Sequence, residues 1–439
     1  MEFGAVGGTG EYPAGTTTGR FLVLFEEGAA EAGVAALSEA TGARTVAATE
    51  DVTQPAPNEA LFFEHLGVAV IDASPQQMRE AGAMAAAADA VLAVEPERVN
   101  HAIEGFPCAG EGSPDAPARG RSAEYLRGFR EAVMHLTAPD AGGLSGELAG
   151  VAALDESQAT WGLQAVRAVH SNFSGEAIRV AVLDTGCDLQ HPDLQGRTIK
   201  SRSFVPGEAA QDGNGHGTHC IGTSMGSKRP PAGPRYGVAH DAEIYAGKVL
   251  SNAGSGSDAQ ILGGIDWAVQ SACVVISMSL GASTRPGQSY SRVFEAVAAR
   301  AQRAGTLIVA AAGNESDRPG VVNPVGHPAN CPSIMAVAAL DPALGVARFS
   351  NRGIDPDGGQ VDVAAPGVDV YSSYPMPTRY RRLNGTSMAT PHVAGVAALF
   401  AEATPGARGA ALGQLLTTRA RRLASLSSAD VGAGLVQAP

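Results

Sequence analysis

Apolar positions along the chain change their rhythm near residue 156. Before it, residues 20–103 read as a strand in RFLVLFE, a helix over 28–40, a strand near 43–49, one long apolar strand over 61–72, an alanine-rich helix over 75–88 and a strand in AVLAVEPE. That β-α-β-β-α-β order predicts a small ferredoxin-like α+β domain. After it, near-continuous apolar strands are expected at 178–183, 243–249, 273–277, 306–310 and 334–340. Helices alternate with them, after His216 and at 258–271, 290–304 and about 387–402. Strands of that kind predict an α/β domain with a parallel sheet buried on both faces, whose functional groups gather at strand ends.

The remaining segments differ in composition. Residues 1–19 are rich in Gly and Thr and read as a flexible tail, and 104–155 carry the small, polar mixture of a linker or extension. Within that linker, Tyr125, Phe129 and Val133 fall at helical spacing behind a Ser cap, which predicts one short helix over 122–136. The four segments are thus 1–19, 20–103, 104–155 and 156–439.

With 439 residues, 44% hydrophobic and 17% charged, the chain can fill a large core and more than one domain. A net charge of −13 argues against nucleic acid and anionic membranes as obligate partners. No run of 18 apolar residues and no secretory signal pattern is visible, so the chain as given reads as cytoplasmic, or as secreted if a leader is missing from it. A monomer is expected. Five scattered cysteines, Cys108, Cys187, Cys220, Cys273 and Cys331, form no CxxC pair, so neither a disulfide framework nor a zinc site is indicated, and an odd count leaves at least one thiol free.

Three element boundaries carry polar residues. Asp184 ends an apolar strand in VAVLDTGCD, His216 opens a helix in DGNGHGTHC, and Ser387 opens another in NGTSMATPHVAG. Singly, each has an ordinary explanation: an Asp turn cap, a satisfied histidine, a Ser N-cap. Together, in the order Asp, His, Ser and each beside Gly or Thr, they supply an orienting carboxylate, a general base and a nucleophile. At a helix N-terminus Ser387 would meet free backbone N–H groups and the positive end of the dipole, where an oxyanion forms. Gly385 allows the tight turn, Ala389, Ala394 and Gly395 allow close packing, and Pro391 is expected within about the first turn.

With AAAGNES at 310–316, WGLQAV at 161–166 and GAGLVQA near the end, these motifs resemble the subtilisin-like serine peptidases, the subtilases, from about residue 156 onward. The resemblance implies a three-layer α/β peptidase domain that cleaves peptide bonds through an acyl-enzyme on Ser387, with His216 as base, Asp184 as orienter and Asn314 as oxyanion donor. It implies that NAGSGSDAQ (Gly254, Ser255, Gly256) and VVISMSLGA (Ser279, Leu280, Gly281) bind an extended peptide between them. Gly281 and Gly326 would leave an open P1 pocket for large uncharged residues, with Glu315 beside it able to admit Lys or Arg. A glycine at any of these positions also suits a plain turn.

Calcium is the family's usual ion. Asp193 matches a carboxylate that often binds it, while the loop 226–237 lacks the family's oxygen ligands; no cofactor is required for the chemistry. Cys220 lies on the face of His216, as in proteinase K-like members, where thiol reagents or mercury would reach the base through it. The first domain resembles the family's inhibitory propeptide, so the chain's own residues 20–103 are its expected internal inhibitor, with self-cleavage after Ile103 or a second cut near 155. Permanent retention of that domain is the alternative. Two other classes stand beside the zymogen reading: a transacylase or macrocyclase on the same fold, and a permanently self-inhibited binding protein.

Overall fold

The computed structural model describes residues 16–49, 54–74, 76–78, 90–103, 155–355 and 357–439. Of the expected flexible tail over 1–19, residues 17–19 instead open β1, where they extend its pairing; residues 1–15, most of the helix over 75–88, and 104–154 with the expected helix over 122–136 lie outside the described residues.

The first unit is built on β1 (Thr17–Phe25), α1 (Ala30–Thr41), β2 (Arg44–Ala47), β3 (Glu59–Phe63), β4 (Val68–Ile71) and β5 (Val91–Ala102). Its sheet runs β5-β1-β4-β3-β2, antiparallel except for the edge strand β2, which runs parallel to β3. The single long strand expected over 61–72 is two. β3 and β4 pair from Ala60↔Ile71 to Phe63↔Val68 around a turn at 64–67. Glu64 and His65 break the apolar run there, and Gly67, at φ +58°, supplies the left-handed conformation that the reversal needs. Side chains alternate across this sheet. Val23, Phe25, Ala69 and Ile71 pack on one face with Leu37 of α1, whereas Leu22, Leu24, Leu61, Phe63, Val68 and Val70 on the other belong to the main hydrophobic core of the molecule.

That main core surrounds the second unit. Its strands are β6 (Arg179–Asp184), β7 (Ile199–Ser203), β8 (Glu243–Lys248), β9 (Ser255–Ser257), β10 (Val275–Met278), β11 (Leu280–Gly281), β12 (Leu307–Ala311), β13 (Met335–Leu340), β14 (Val363–Pro366), β15 (Val370–Ser373) and β16 (Tyr380–Leu383). Its principal helices are α2 (His216–Met225), α3 (Asp258–Gln270), α4 (Arg292–Arg303), α5 (Thr386–Ala403) and α6 (Ala410–Arg419). Seven strands order as β14-β13-β12-β10-β6-β8-β7, every pairing parallel. The interior strands β10, β12 and β13 are buried at every position, which is the composition that a sheet covered on both faces requires. The five central strands and four long helices fall close to where the periodicity places them. The polar edge strand β7, the short β9, β11 and β14, and the β15–β16 hairpin carry no such signal.

β5 joins the two units. Its first half pairs with β1, and its last residues leave the first sheet to run antiparallel between β9 and β11.

Candidate active site

The loop before α2 is shaped by one carboxylate. Asp212 accepts from the backbone N–H groups of Asn214, Gly215 and Thr218 at 2.8–2.9 Å and from the hydroxyls of Thr185 (2.9 Å) and Thr218 (2.6 Å). It therefore satisfies N–H groups that open the helix and ties them to the end of β6. Gly215 sits at φ +110°, where an added Cβ would lie 2.3 Å from the ring of Tyr374. Asp212 and Thr185 do not stand out in the motif, although an Asp a turn ahead of a helical HGTH is a recognisable cap.

This scaffold brings His216 Nδ1 to 2.8 and 3.0 Å from the two carboxylate oxygens of Asp184, both residues being buried. Asp184 Oδ1 also accepts from the backbone N–H of Thr185 at 2.7 Å, which fixes its plane. Burial alone would disfavour the imidazolium, but the facing carboxylate outweighs it and raises the His216 pKa well above its ordinary value. Cys220, 3.9 Å from Nδ1, adds no charge to this balance, because burial raises its own pKa and keeps it a neutral thiol. Nε2 of His216 is buried with no hydrogen-bond partner among the described residues.

Ser387 is the second residue of α5, and the proline expected in the first turn of that helix, Pro391, lies in the second. Pro391 has no N–H to give to the carbonyl four residues back, which is that of Ser387. The freed carbonyl accepts instead from Ser279 Oγ at 2.8 Å and from the Cys220 thiol at 3.6 Å. The missing N–H of Pro391 thus leaves the Ser387 carbonyl to anchor this backbone to the β10–β11 segment and to α2. Gly395, further along α5, packs so closely that a Cβ would come within 2.6 Å of Val238.

Across the cleft, Asn314 is oriented by its own acceptor. Its Oδ1 takes the backbone N–H and the hydroxyl of Thr386, each at 2.9 Å, so Nδ2 must face the cleft. It donates at 3.1 Å to the carbonyl oxygen of Ile103, and Ser387 Oγ donates to the same oxygen at 2.7 Å. The end of β5 therefore holds one backbone carbonyl between the side chains of Asn314 and Ser387. The Ile103 N–H donates to Ser279 O at 3.2 Å and the Ala102 N–H to Gly254 O at 2.8 Å. Register continues as His101↔Ser255, Asn100↔Gly256 and Val99↔Ser257 on one side, and Ala102↔Leu280 and His101↔Gly281 on the other. A cavity of about 260 Å³ at this end is lined by Ile103, Gly281, Ala282, Ser283, Asn314 and Glu315, with His101 and Ala102. An added Cβ on Gly281 would meet His327 O at 2.3 Å and the Ile103 side chain at 3.4 Å. Gly326 is not among the residues that line this cavity; its N–H donates to Ala312 O, and a Cβ there would meet Ala282 O at 3.0 Å, so backbone packing accounts for it.

Asp193 does not fit a metal. Its carboxylate already accepts from Tyr236 OH at 2.7 Å, Tyr380 OH at 2.9 and 3.0 Å, and the Arg379 guanidinium at 3.3 Å. The lone pairs that a cation would need are taken by protons, and the charge is met by Arg379. Asp184, His216 and Cys220 do offer ligand atoms within 4.8 Å of one another, but a metal there would compete with the hydrogen bonds between His216 and Asp184. Cys187, Cys220, Cys273 and Cys331 are free and buried; Cys108 lies outside the described residues.

The description Subtilase family belongs to the profile that matches residues 175–434, more than half of the chain. The chain belongs to the subtilase family. Subtilisin DY from Bacillus licheniformis is 43% identical over 234 residues, 53% of this chain and 80% of its own. The subtilisin of Bacillus pumilus is 42% identical over 272 residues, 61% of this chain and 92% of its own. Among solved structures, fervidolysin from Fervidobacterium pennivorans, described as a keratinolytic enzyme related to subtilisin, matches 97% of this chain and 61% of its own at 25% identity, with a TM-score of 0.68. As a subtilase the chain is a serine endopeptidase acting on peptides and proteins, with the subtilisin-like α/β fold.

Proposed function

We propose that this subtilase is made as a self-inhibited zymogen, that Ser387, His216 and Asp184 are its catalytic triad, and that its first substrate is its own β5 tail. The observation that carries the reading is the Ile103 carbonyl, held by both Asn314 Nδ2 and Ser387 Oγ at the end of a strand paired on both sides. An extended peptide added as a strand is the way such a cleft takes substrate, and the tail fills it, so residues 20–103 act as inhibitor until the cut.

In turnover, the Ser387 hydroxyl gives its proton to Nε2 of His216 as Oγ bonds to the carbonyl carbon. The imidazolium that forms is stabilised by Asp184, and the carbonyl oxygen, now an oxyanion, by Asn314 Nδ2. His216 returns the proton to the leaving amine as the C–N bond breaks. Water then adds to the acyl-enzyme by the same route. No metal takes part in these steps. The cavity beside Gly281 favours large apolar residues before the scissile bond, and Glu315 at its rim, which accepts from Asn351 Nδ2, leaves room for a basic end group.

Labelling by a fluorophosphonate together with hydrolysis of a peptide amide tests the triad. Wild type is expected to do both and Ser387→Ala neither; a Ser387→Ala variant that still hydrolyses would refute the assignment. Asn314→Ala is expected to keep the fold and lose about 2.7–4 kcal/mol of transition-state stabilisation, read as a fall in kcat. An unchanged kcat would remove Asn314 from the oxyanion site.

A further inference from the structure

Three residues back from Ile103, the cleft changes character. Asn100, the fourth residue before the scissile bond counting Ile103 as the first, is fully buried, and its side chain points into the second unit. There its Nδ2 donates to Asp258 Oδ1 at 2.7 Å. Asp258 is the first residue of α3 and is itself fully buried. Its other oxygen accepts the Arg98 backbone N–H at 2.8 Å, so both of these hydrogen bonds come from the tail. On the far wall, His327 Nε2 lies 3.4 Å from Asp258 Oδ1 and is buried; neither ring nitrogen has a hydrogen-bond partner among the described residues. The His327 ring is fixed edge-on against Phe294, with centroids 4.6 Å apart.

Burial would favour the protonated acid, but the His327 ring 3.4 Å away, the nearby Arg98 cation and the Arg98 backbone N–H hold the Asp258 pKa below its ordinary value. Burial and Arg98 lower that of His327, which stays neutral. The subsite therefore presents an ionised acceptor that needs donors whenever it is covered. A substrate that covers it with an apolar side chain would leave a desolvated carboxylate without its side-chain partner.

We propose that Asp258, backed by His327, is a specificity-determining residue that selects a short amide side chain, asparagine foremost, at the fourth position before the scissile bond. The inference rests on the endopeptidase reading above and concerns the same cleft. The Asn100 main chain pairs with Gly256 as any residue would, so the discrimination lies in the side chain alone. A hydrogen bond to a buried charge is worth roughly 10- to 100-fold in a binding or rate ratio.

The test compares two peptide amides, Asn-His-Ala-Ile and Leu-His-Ala-Ile, each carrying a chromogenic amine after Ile, on the full-length preparation allowed to process itself. Wild type is expected to show kcat/KM roughly 10- to 100-fold higher for the Asn peptide. Asp258→Leu is expected to reverse the order. Asp258→Asn, which keeps shape and an acceptor but removes the charge, guards against misfolding of the first variant and is expected to retain the preference at reduced size. Equal rates for both peptides in wild type, or a preference for Leu, would overturn the role of Asp258 and leave the endopeptidase reading standing. No hydrolysis of either peptide, with no fluorophosphonate labelling, would overturn both.

Discussion

The two sheets of the molecule bury their faces by different means. In the seven-stranded parallel sheet both faces are covered by helices of the same unit, and α5 alone packs against β10, β12, β13 and β14. Among the described residues, the first unit covers one face of its own sheet, with α1 and Met78; the opposite face, carrying Leu22, Leu24, Leu61 and Phe63, is closed by α3 and α4 of the second unit. Helix ends are shared in the same direction. Glu95 accepts from the N–H groups of Arg292 and Val293 and from Ser291 Oγ at the start of α4, and Glu97 accepts from Ala259 N–H at the start of α3. The lesson is an asymmetry: the first unit borrows half of its core, while the peptidase unit has its own.

That asymmetry can be broken in steps, all on a Ser387→Ala background that keeps the chain whole. The largest effect is expected from Leu22→Ala, which deletes a fully buried side chain on the borrowed face and costs about 2–5 kcal/mol. The first unit should become open to added trypsin while the thermal transition of the peptidase unit stays in place; a joint shift of both would mean one cooperative core and contradict the asymmetry. A smaller effect, about 1–3 kcal/mol, is expected from Glu97→Ala, which strips partners from Arg20 and from the Ala259 N–H. Glu95→Ala removes the helix-end contacts at the start of α4 and the pairing with Arg98 at 3.4 Å, and should cost about 1 kcal/mol. Trypsin sensitivity ranked in any other order would sharpen or replace this account of docking.

The same contrast governs what could be read from the sequence. The parallel core was legible because its interior strands are near-continuous apolar runs, and the proposed triad because Asp184, His216 and Ser387 sit where strands end and helices begin. The β3–β4 hairpin was not, since the apolar run on each side of Glu64–Gly67 masks the turn. The β15–β16 hairpin escaped because its polar residues make specific contacts rather than a hydrophobic period; Tyr380, with Arg379 before it, bonds to Asp193, which is why a carboxylate matched to calcium meets an arginine instead. Asp258 is, by sequence alone, one more acidic residue at the start of α3. Its place in the cleft depends on where the β5 tail crosses, which no local pattern encodes.

The central claim is that Ser387 cuts the chain after Ile103. Intact mass and N-terminal sequencing of wild type beside Ser387→Ala test it most directly. The account predicts a wild-type fragment beginning at Glu104 and an uncut variant. Wild type that stays whole, or a variant cut at the same bond, would contradict it.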